Sequence, residues 1–349
     1  MKAEIRRCRE EDLFGVMEFI DAYWVKDHIL FKHRELMDWQ YGDPKSKGTY
    51  NWLIAEDEEG TQGILGFIPT FKYDPDLAVD PLTWLALWKI RPQPKNHTLG
   101  LRLMSTLAQA KGTGKLAVLG INSTHAPMYK ALGYVVGDLK QHFTCNPNLA
   151  QTLIGAPDDF EPPQPLVGRA TFREVDAIYL DTFILVGVKV PCKSPRYFLN
   201  RYLIHPIYQY RIFAIELDGC SRALLSMRIA SNNGARVLRI VDFLGDEEVL
   251  AESGSAIGQL LDEEGCEYAD FLEYGLLPSV LVACGFRQAI HGSAVVVPNY
   301  FEPFLRRSTR IQFAIKGVRA EDLAIFRGDG DQDRPNQAPS TPSDIQTMT

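Results

Sequence analysis

One stretch constrains the fold more than any other: L-A-V-L-G-I-N-S-T-H-A-P-M-Y-K-A-L-G-Y, residues 116–134. Leu116 to Ile121 read as a strand buried on both faces, Asn122 ends it, and a short helix over 125–132 follows at once. The spacing N-x6-Y-x3-G-[FY] sets the Tyr129 hydroxyl on the first helical turns beyond the strand's carboxyl end. In open α/β sheets that end is where ligands and reactive groups gather.

The elements before it follow a regular order. Residues 3–8 read as a strand, and Leu13, Val16, Met17 and Ile20 mark an amphipathic helix. A second helix spans 31–40 with Phe31, Leu36 and Trp39. A hairpin then pairs N-W-L-I-A-E-D with G-I-L-G-F-I-P-T-F across Glu58-Glu59-Gly60. Leu82–Ile90 is a strand, Leu99–Lys111 a helix, and 134–144 a strand that closes the unit.

Residues 155–166, G-A-P-D-D-F-E-P-P-Q-P-L, read as a linker. Beyond it the order returns. A hairpin turns at Asp218-Gly219 between 210–217 and 223–231, followed by a strand over 236–244 and a helix over 253–264. A strand over 268–274 and a short helix over 278–284 precede Gly285-Phe286, so L-x-x-C-G-F sits where M-Y-K-A-L-G-Y sits in the first half. This is an internal repeat of a whole domain, and 349 residues are enough for two cores. The expected organisation is one domain over 1–150, a linker over 151–167, a second copy over 168–318, and a helix with a polar, partly disordered tail over 319–349.

That tail begins G-D-G-D-Q-D-R-P-N and has too few apolar residues to fold by itself. It reads as a solvated acidic end, or as a segment laid over the site or a partner subunit. Asp329, Asp331 and Asp333 have calcium-loop spacing, but the Gly and Glu that complete such a loop are missing.

A net charge of −7 gives no reason to expect a nucleic-acid partner, and 46% hydrophobic with 23% charged residues is ordinary for a soluble globular chain. There is no apolar signal core and no run of membrane-span length. Six scattered cysteines without a C-x-x-C pair suit a reduced, cytoplasmic chain, and no ligand spacing suggests a metal.

Residues 3–145 resemble the Gcn5-related N-acetyltransferase superfamily, and 170–316 do so weakly. The strand order, the A-E-D-E-E-G-T-Q-G-I-L-G-F hairpin and the N-S-T-H-A-P-M-Y-K-A-L-G-Y segment carry the resemblance. It implies an α/β fold of two tandem copies, each a mixed, mostly antiparallel sheet flanked by helices, the second degenerate. It implies acetyl-CoA as co-substrate, and because no cysteine is positioned as an acyl carrier, direct transfer in a ternary complex is expected rather than a ping-pong route.

The superfamily's pyrophosphate loop, [QR]-x-x-G-x-[GA], aligns with Lys95-Asn96-His97-Thr98-Leu99-Gly100, where Gly100 is the position that fits. A loop before a helix offers unpaired N–H groups and the positive end of the helix dipole to an anion. Lys95, His97 and Arg91 or Arg102 add cations, and Leu101 completes the cofactor set. By resemblance, backbone N–H groups near Trp88 and Ile90 polarise the thioester, Asn122 holds the pantetheine amide or a water, and Tyr129 protonates the leaving thiolate. Candidate bases are His125, His28, Glu56 and Asp80. The second copy's acidic loop, Asp246-Glu247-Glu248-Val249, would repel a pyrophosphate, so that copy is expected to be silent.

Tandem chains of this kind resemble amino-sugar N-acyltransferases of surface-polysaccharide pathways, which implies the amine of a nucleotide-linked amino sugar as acceptor. Trp24, His28 and Glu56 are the candidate substrate residues, with Trp39, Tyr41 and Trp52 as further aromatics. Arg196, Arg201, Arg211, Arg306, Arg307 and Arg310 are candidate phosphate partners. Acylation of a protein or peptide amine, and a non-catalytic binding module for acyl-CoA or nucleotide sugars, stay open, as does a homodimer.

Overall fold

The structure is a computed structural model that describes residues 3–93, 97–185 and 187–336. In chain order its first strands are β1 (Glu4–Arg9), β2 (Thr49–Asp57), β3 (Gly60–Pro69), β4 (Leu82–Ile90), β5 (Lys115–Ile121), β6 (Val135–Asp138), β7 (Lys140–Cys145) and β8 (Thr171–Glu174). They continue as β9 (Arg211–Leu217), β10 (Cys220–Asn232), β11 (Ala235–Gly245), β12 (Tyr268–Tyr274), β13 (Arg287–Ala289), β14 (Tyr300–Phe301), β15 (Phe304–Leu305), β16 (Gln312–Ile315) and β17 (Ile325–Phe326). The helices are α1 (Leu13–Tyr23), α2 (Ile29–Lys32), α3 (Arg34–Tyr41), α4 (Leu99–Gln109), α5 (Ala126–Ala131), α6 (Ala177–Thr182), α7 (Pro195–Phe198), α8 (Gly254–Glu263) and α9 (Pro278–Ala283).

The described residues divide into two compact units whose boundaries do not follow the two halves of the sequence. One holds the chain up to Ile68, Leu85–Lys111 and the residues from Arg334; the other holds Pro69–Trp84 and Gly112–Asp333. In the first, β1 and β2 pair antiparallel, as do β2 and β3, with Leu53 opposite Leu65. α1 buries Leu13, Val16, Met17 and Ile20, the stripe its sequence spacing predicts. The helix expected over 31–40 is two helices. His33 lies extended between them, and its ring Nδ1 accepts the Leu36 N–H at 3.1 Å, so it caps α3.

The first unit's sheet strands run β1-β2-β3, a sheet of the second unit holds β5-β16-β6, and the residues of β4 are divided between the units. A further sheet of the second unit runs β13-β7-β12-β11-β10-β9-β8. The single strand expected over 134–144 is thus two strands in two sheets. Leu139 is the break, buried and donating its N–H to Ile311 at 2.9 Å. β7 joins the sheet of β12, while β16 enters the other between β5 and β6. The repeat is real in element order, but each sheet takes one strand from the other half of the chain.

The hairpin turns follow their residues. Asp218-Gly219 joins β9 to β10 and Asn233-Gly234 joins β10 to β11, and all four residues have positive φ, as type I′ turns require. α8 lays Ile257, Leu260 and Leu261 into the core with Leu225, Leu238 and Ile240.

β11 and β12 pair in parallel as far as Ile240 and Phe271. Past that point residues 325–328 bond to both. Phe326 lies opposite Glu273, Arg327 donates its N–H to Leu272, and Gly328 donates to Val241 at 2.7 Å. The helix expected beyond 319 is, over the described residues, a 3-10 turn at Ala320–Asp322 and the short β17. Nor is the start of the tail solvated: Asp329, Asp331 and Asp333 are all buried. Residues 337–349 lie outside the described residues.

Candidate functional site

In the first unit the candidate residues gather around β4 and α4. Trp88 is half-buried, and its indole Nε1 is buried without a partner among the described residues. α4 starts at Leu99; Thr98 makes no capping bond and no acidic residue stands in the first turn. Among the described residues its first N–H groups are therefore uncommitted, and no carboxylate of the first turn competes for the positive end of the dipole. Leu99 is buried, whereas His97, Thr98 and Leu101 are exposed; Lys95 and Asn96 lie outside the described residues.

Gly100 has a packing reason of its own. A Cβ there would stand 2.9 Å from Cζ2 of Trp88, so only glycine lets α4 lie against the indole. Gly100→Ala is expected to lose about 1–2 kcal/mol to this clash despite alanine's better helix propensity. Urea denaturation of this variant, and of Gly100→Ala with Trp88→Leu, should show the loss in the first and its recovery in the second. Arg91 lies over the Tyr23 ring at 5.7 Å, and Arg102 donates to the Ala3 carbonyl at 2.6 Å. Ile90 is half-buried.

In the second unit β5 carries a bulge at Gly120, where φ is +82° and the pairing with β16 shifts. The space beside Gly120 is filled by the side chain of Gln332, whose Nε2 donates to the Tyr300 hydroxyl at 2.8 Å. Two residues on, the Asn122 side chain accepts the Thr124 N–H at 3.1 Å and its carbonyl accepts the His125 N–H at 2.8 Å. This Asx turn feeds the chain into α5, as expected for Asn at a strand–helix junction. His125 precedes α5 and is exposed.

Tyr129 is 3% exposed and packs edge-on to Tyr134, with ring centroids 5.2 Å apart. Burial, with Tyr134 adding to it, pushes its pKa well above the ordinary value. The phenol therefore stays protonated throughout the neutral range, the state a proton donor needs. No hydrogen bond engages its hydroxyl among the described residues.

The candidate substrate residues divide. Trp24 is 43% exposed, with the Lys89 ammonium 5.9 Å from its ring centroid. Glu56 is held by Arg6, Nε to Oε2 at 3.0 Å. His28 is buried, and its Nδ1 caps α2 by accepting the Leu30 N–H at 3.2 Å, so it is an interior capping group rather than an exposed ligand contact. Burial, aided by Arg334, lowers its pKa to about 4. Between that value and the ordinary 6.5 the unfolded chain binds the proton better, so stability falls as pH drops through this window. The full effect is about 3 kcal/mol. His28→Asn, which keeps a cap, should flatten the slope of unfolding free energy between pH 4 and 6.5.

Tyr41 and Trp52 are core, not pocket. Both are fully buried, their rings tilted at 39° with centroids 4.3 Å apart, and both pack on Gly66. Trp39 is half-buried. Asp80 is paired with Lys115. Most of the proposed phosphate arginines are also committed: Arg196 to Asp181, Arg211 to Glu174 and Glu264, Arg310 to Asp138, and Arg306 to the Thr152 carbonyl. Arg201 is buried and donates to the Gly328 and Gly330 carbonyls, both at 3.2 Å.

In the second copy the gap between β11 and β12 beyond Ile240 and Phe271 is filled by residues 325–328, which bond to both strands. Beside it a cavity of about 300 Å³ is lined by Phe243, Leu276, Phe326 and the acidic Asp246, Glu247 and Glu248. Among the described residues no group of three or more His, Cys, Asp or Glu side chains could hold a metal, and no helix is long and apolar enough to cross a membrane.

No family model and no curated protein sequence matches the chain. Solved structures do. A GCN5-related N-acetyltransferase from Anabaena variabilis matches over 90% of this chain and 72% of its own, with a TM-score of 0.52 and 11% identity. A second, from Kribbella flavida, matches over 90% of this chain and 71% of its own, with a TM-score of 0.50 and 12% identity. At such identities the likeness is one of fold: the chain is a mixed α/β protein with the fold of the GCN5-related N-acetyltransferases.

Proposed function

We propose that this chain is a CoA-dependent N-acyltransferase that moves an acetyl or similar short acyl group to an amine. The observation that carries the reading is Tyr129: a buried, protonated phenol with an uncommitted hydroxyl, one helix beyond the carboxyl end of β5. The neighbouring structures, named as N-acetyltransferases, support it at the level of fold. In this reading Lys95 to Leu101, with Arg91, receive the pyrophosphate at the uncapped start of α4. Trp88 and Ile90 offer backbone N–H groups to the thioester, and Tyr129 protonates the departing thiolate.

Asn122 then acts chiefly by shaping the turn that places Tyr129, since its side chain already serves that turn. His125, exposed beside it, is the candidate base for the acceptor ammonium. The acceptor proposed is the amine of a nucleotide-linked amino sugar, with the exposed Trp24 as a stacking surface.

One observation favours a non-catalytic binder instead: Gly100, the best-matched loop residue, is explained by packing on Trp88 alone. Mixing the protein with acetyl-CoA and a panel of nucleotide-linked amino sugars separates the two, with free CoA thiol followed over time. Acceptor-dependent thiol release is expected. Binding of acetyl-CoA without thiol release from any amine would sink the catalytic reading and leave the binder.

A further inference from the structure

The acidic loop of the second copy, Asp246-Glu247-Glu248-Val249, repels a pyrophosphate but suits a positive ligand, and it borders a cavity. That cavity, of about 300 Å³, is lined by Phe243, Leu244 and Gly245 at the end of β11 and by Leu276 and Leu277 just after β12. β11 and β12 pair in parallel, so both strands run toward it. The carboxyl ends of parallel strands are where open α/β sheets take their ligands.

The lining is mostly apolar. Phe243, Leu244, Leu276 and Phe326 are buried and form its floor. Leu277 is 48% and Val188 94% exposed, so the apolar surface continues out to the mouth. A concave surface of this kind gains most from a ligand with an apolar body, which releases the water it covers.

The charged groups of the wall are unevenly committed. Lys193 is buried, and its Nζ donates to Asp242 at 2.7 Å and to Asp329 at 3.1 Å. Lys189 donates to the Gly275 carbonyl at 2.5 Å and lies 3.3 Å from Glu247 Oε1. Neither ammonium is left to meet an anion. Asp246 accepts the Glu248 N–H at 3.0 Å, and Arg222 faces it from 3.8 Å, the two side chains 42% and 43% exposed. Such a distant, wet pair neutralises little. The Glu248 carboxylate is exposed and meets no cation among the described residues. The rim thus holds more negative charge than positive, directly beside the apolar floor.

We propose that this cavity binds an organic ammonium, with its apolar body on the floor of Phe243, Leu276 and Phe326 and its charge beside Glu248 and Asp246. A carboxylate or phosphate of the same shape is turned away by the rim, and an uncharged analogue keeps the floor contacts alone. The site is separate from Tyr129 and independent of any transfer reaction.

The test is the melting temperature of the full chain at fixed ionic strength with three probes of one shape: phenethylammonium, phenethyl alcohol and phenylpropionate. The ammonium should raise Tm saturably, by roughly 4 °C at one hundred times Kd. The alcohol should need about fivefold more ligand for the same rise, and the carboxylate more again. Glu248→Lys changes an exposed rim residue, should fold normally, and should bring the ammonium down to the alcohol or below it. Leu277→Ala trims the half-exposed apolar mouth and should weaken the ammonium and the alcohol alike. No response to any probe overturns the site, as does an undiminished response in both variants. An alcohol or carboxylate that matches the ammonium overturns the ammonium assignment.

Discussion

Tyr129→Phe is expected to lower kcat by about a hundredfold to ten-thousandfold near neutral pH while leaving the affinity for acetyl-CoA within a few fold of the parent. The substitution removes one oxygen from a buried ring whose hydroxyl makes no hydrogen bond among the described residues, so the packing against Tyr134 survives. No acceptor is left unpaired inside the protein, and stability should change by less than about 1 kcal/mol. The two readouts together separate a proton donor from a packing residue. Steady-state rates with the best acceptor, beside calorimetric titration of acetyl-CoA, make the comparison. Unchanged kcat would remove Tyr129 from the reaction.

The second large effect is on stability. Asp333→Ala should cost about 3–5 kcal/mol, because it strips the carboxylate that Arg228 and Arg327 share and leaves both guanidiniums buried without it. The Tyr210 hydroxyl, which donates to Asp333 at 2.8 Å, loses its acceptor too. Asp333→Asn keeps the shape and should fall between the parent and the alanine variant. Urea midpoints of the three proteins test the order. A loss below about 1 kcal/mol for Asp333→Ala would mean that water replaces the carboxylate easily.

That second expectation was not visible in the sequence, and the reason is physical. G-D-G-D-Q-D-R has the composition of a solvated end, and nothing in it reveals that Arg228, Arg327, Lys193 and Tyr210 stand ready to pair with its carboxylates. For Arg228, Lys193 and Tyr210 the complementarity spans more than a hundred residues and leaves no periodic mark. The local signals fared better. Alternation and turn chemistry located β2, β3, β9 and β10, and helical spacing located α1, α4 and α8.

Sheet membership was the harder matter. β7 and β16 are almost wholly buried, so their patterns say that they are enclosed but not by which neighbours. At the candidate site, the strand–Asn–helix junction around Tyr129 was legible because its turn chemistry is local. The roles of His28, Tyr41 and Trp52 were not, because apolar and polar surroundings of an aromatic ring look alike in sequence.

The exchange of β7 and β16 sets an order of events during synthesis. β5 and β6 are made early, but the strand that lies between them ends at Ile315. At bacterial-to-eukaryotic translation speeds the ribosome needs roughly 10–35 s to travel from Asp138 to Ile315. For that interval the nascent chain holds an unfilled gap in one sheet and, in β7, a strand without its β12 neighbour. Each half waits for the other, so the last quarter of the chain acts as the closing stitch for both sheets.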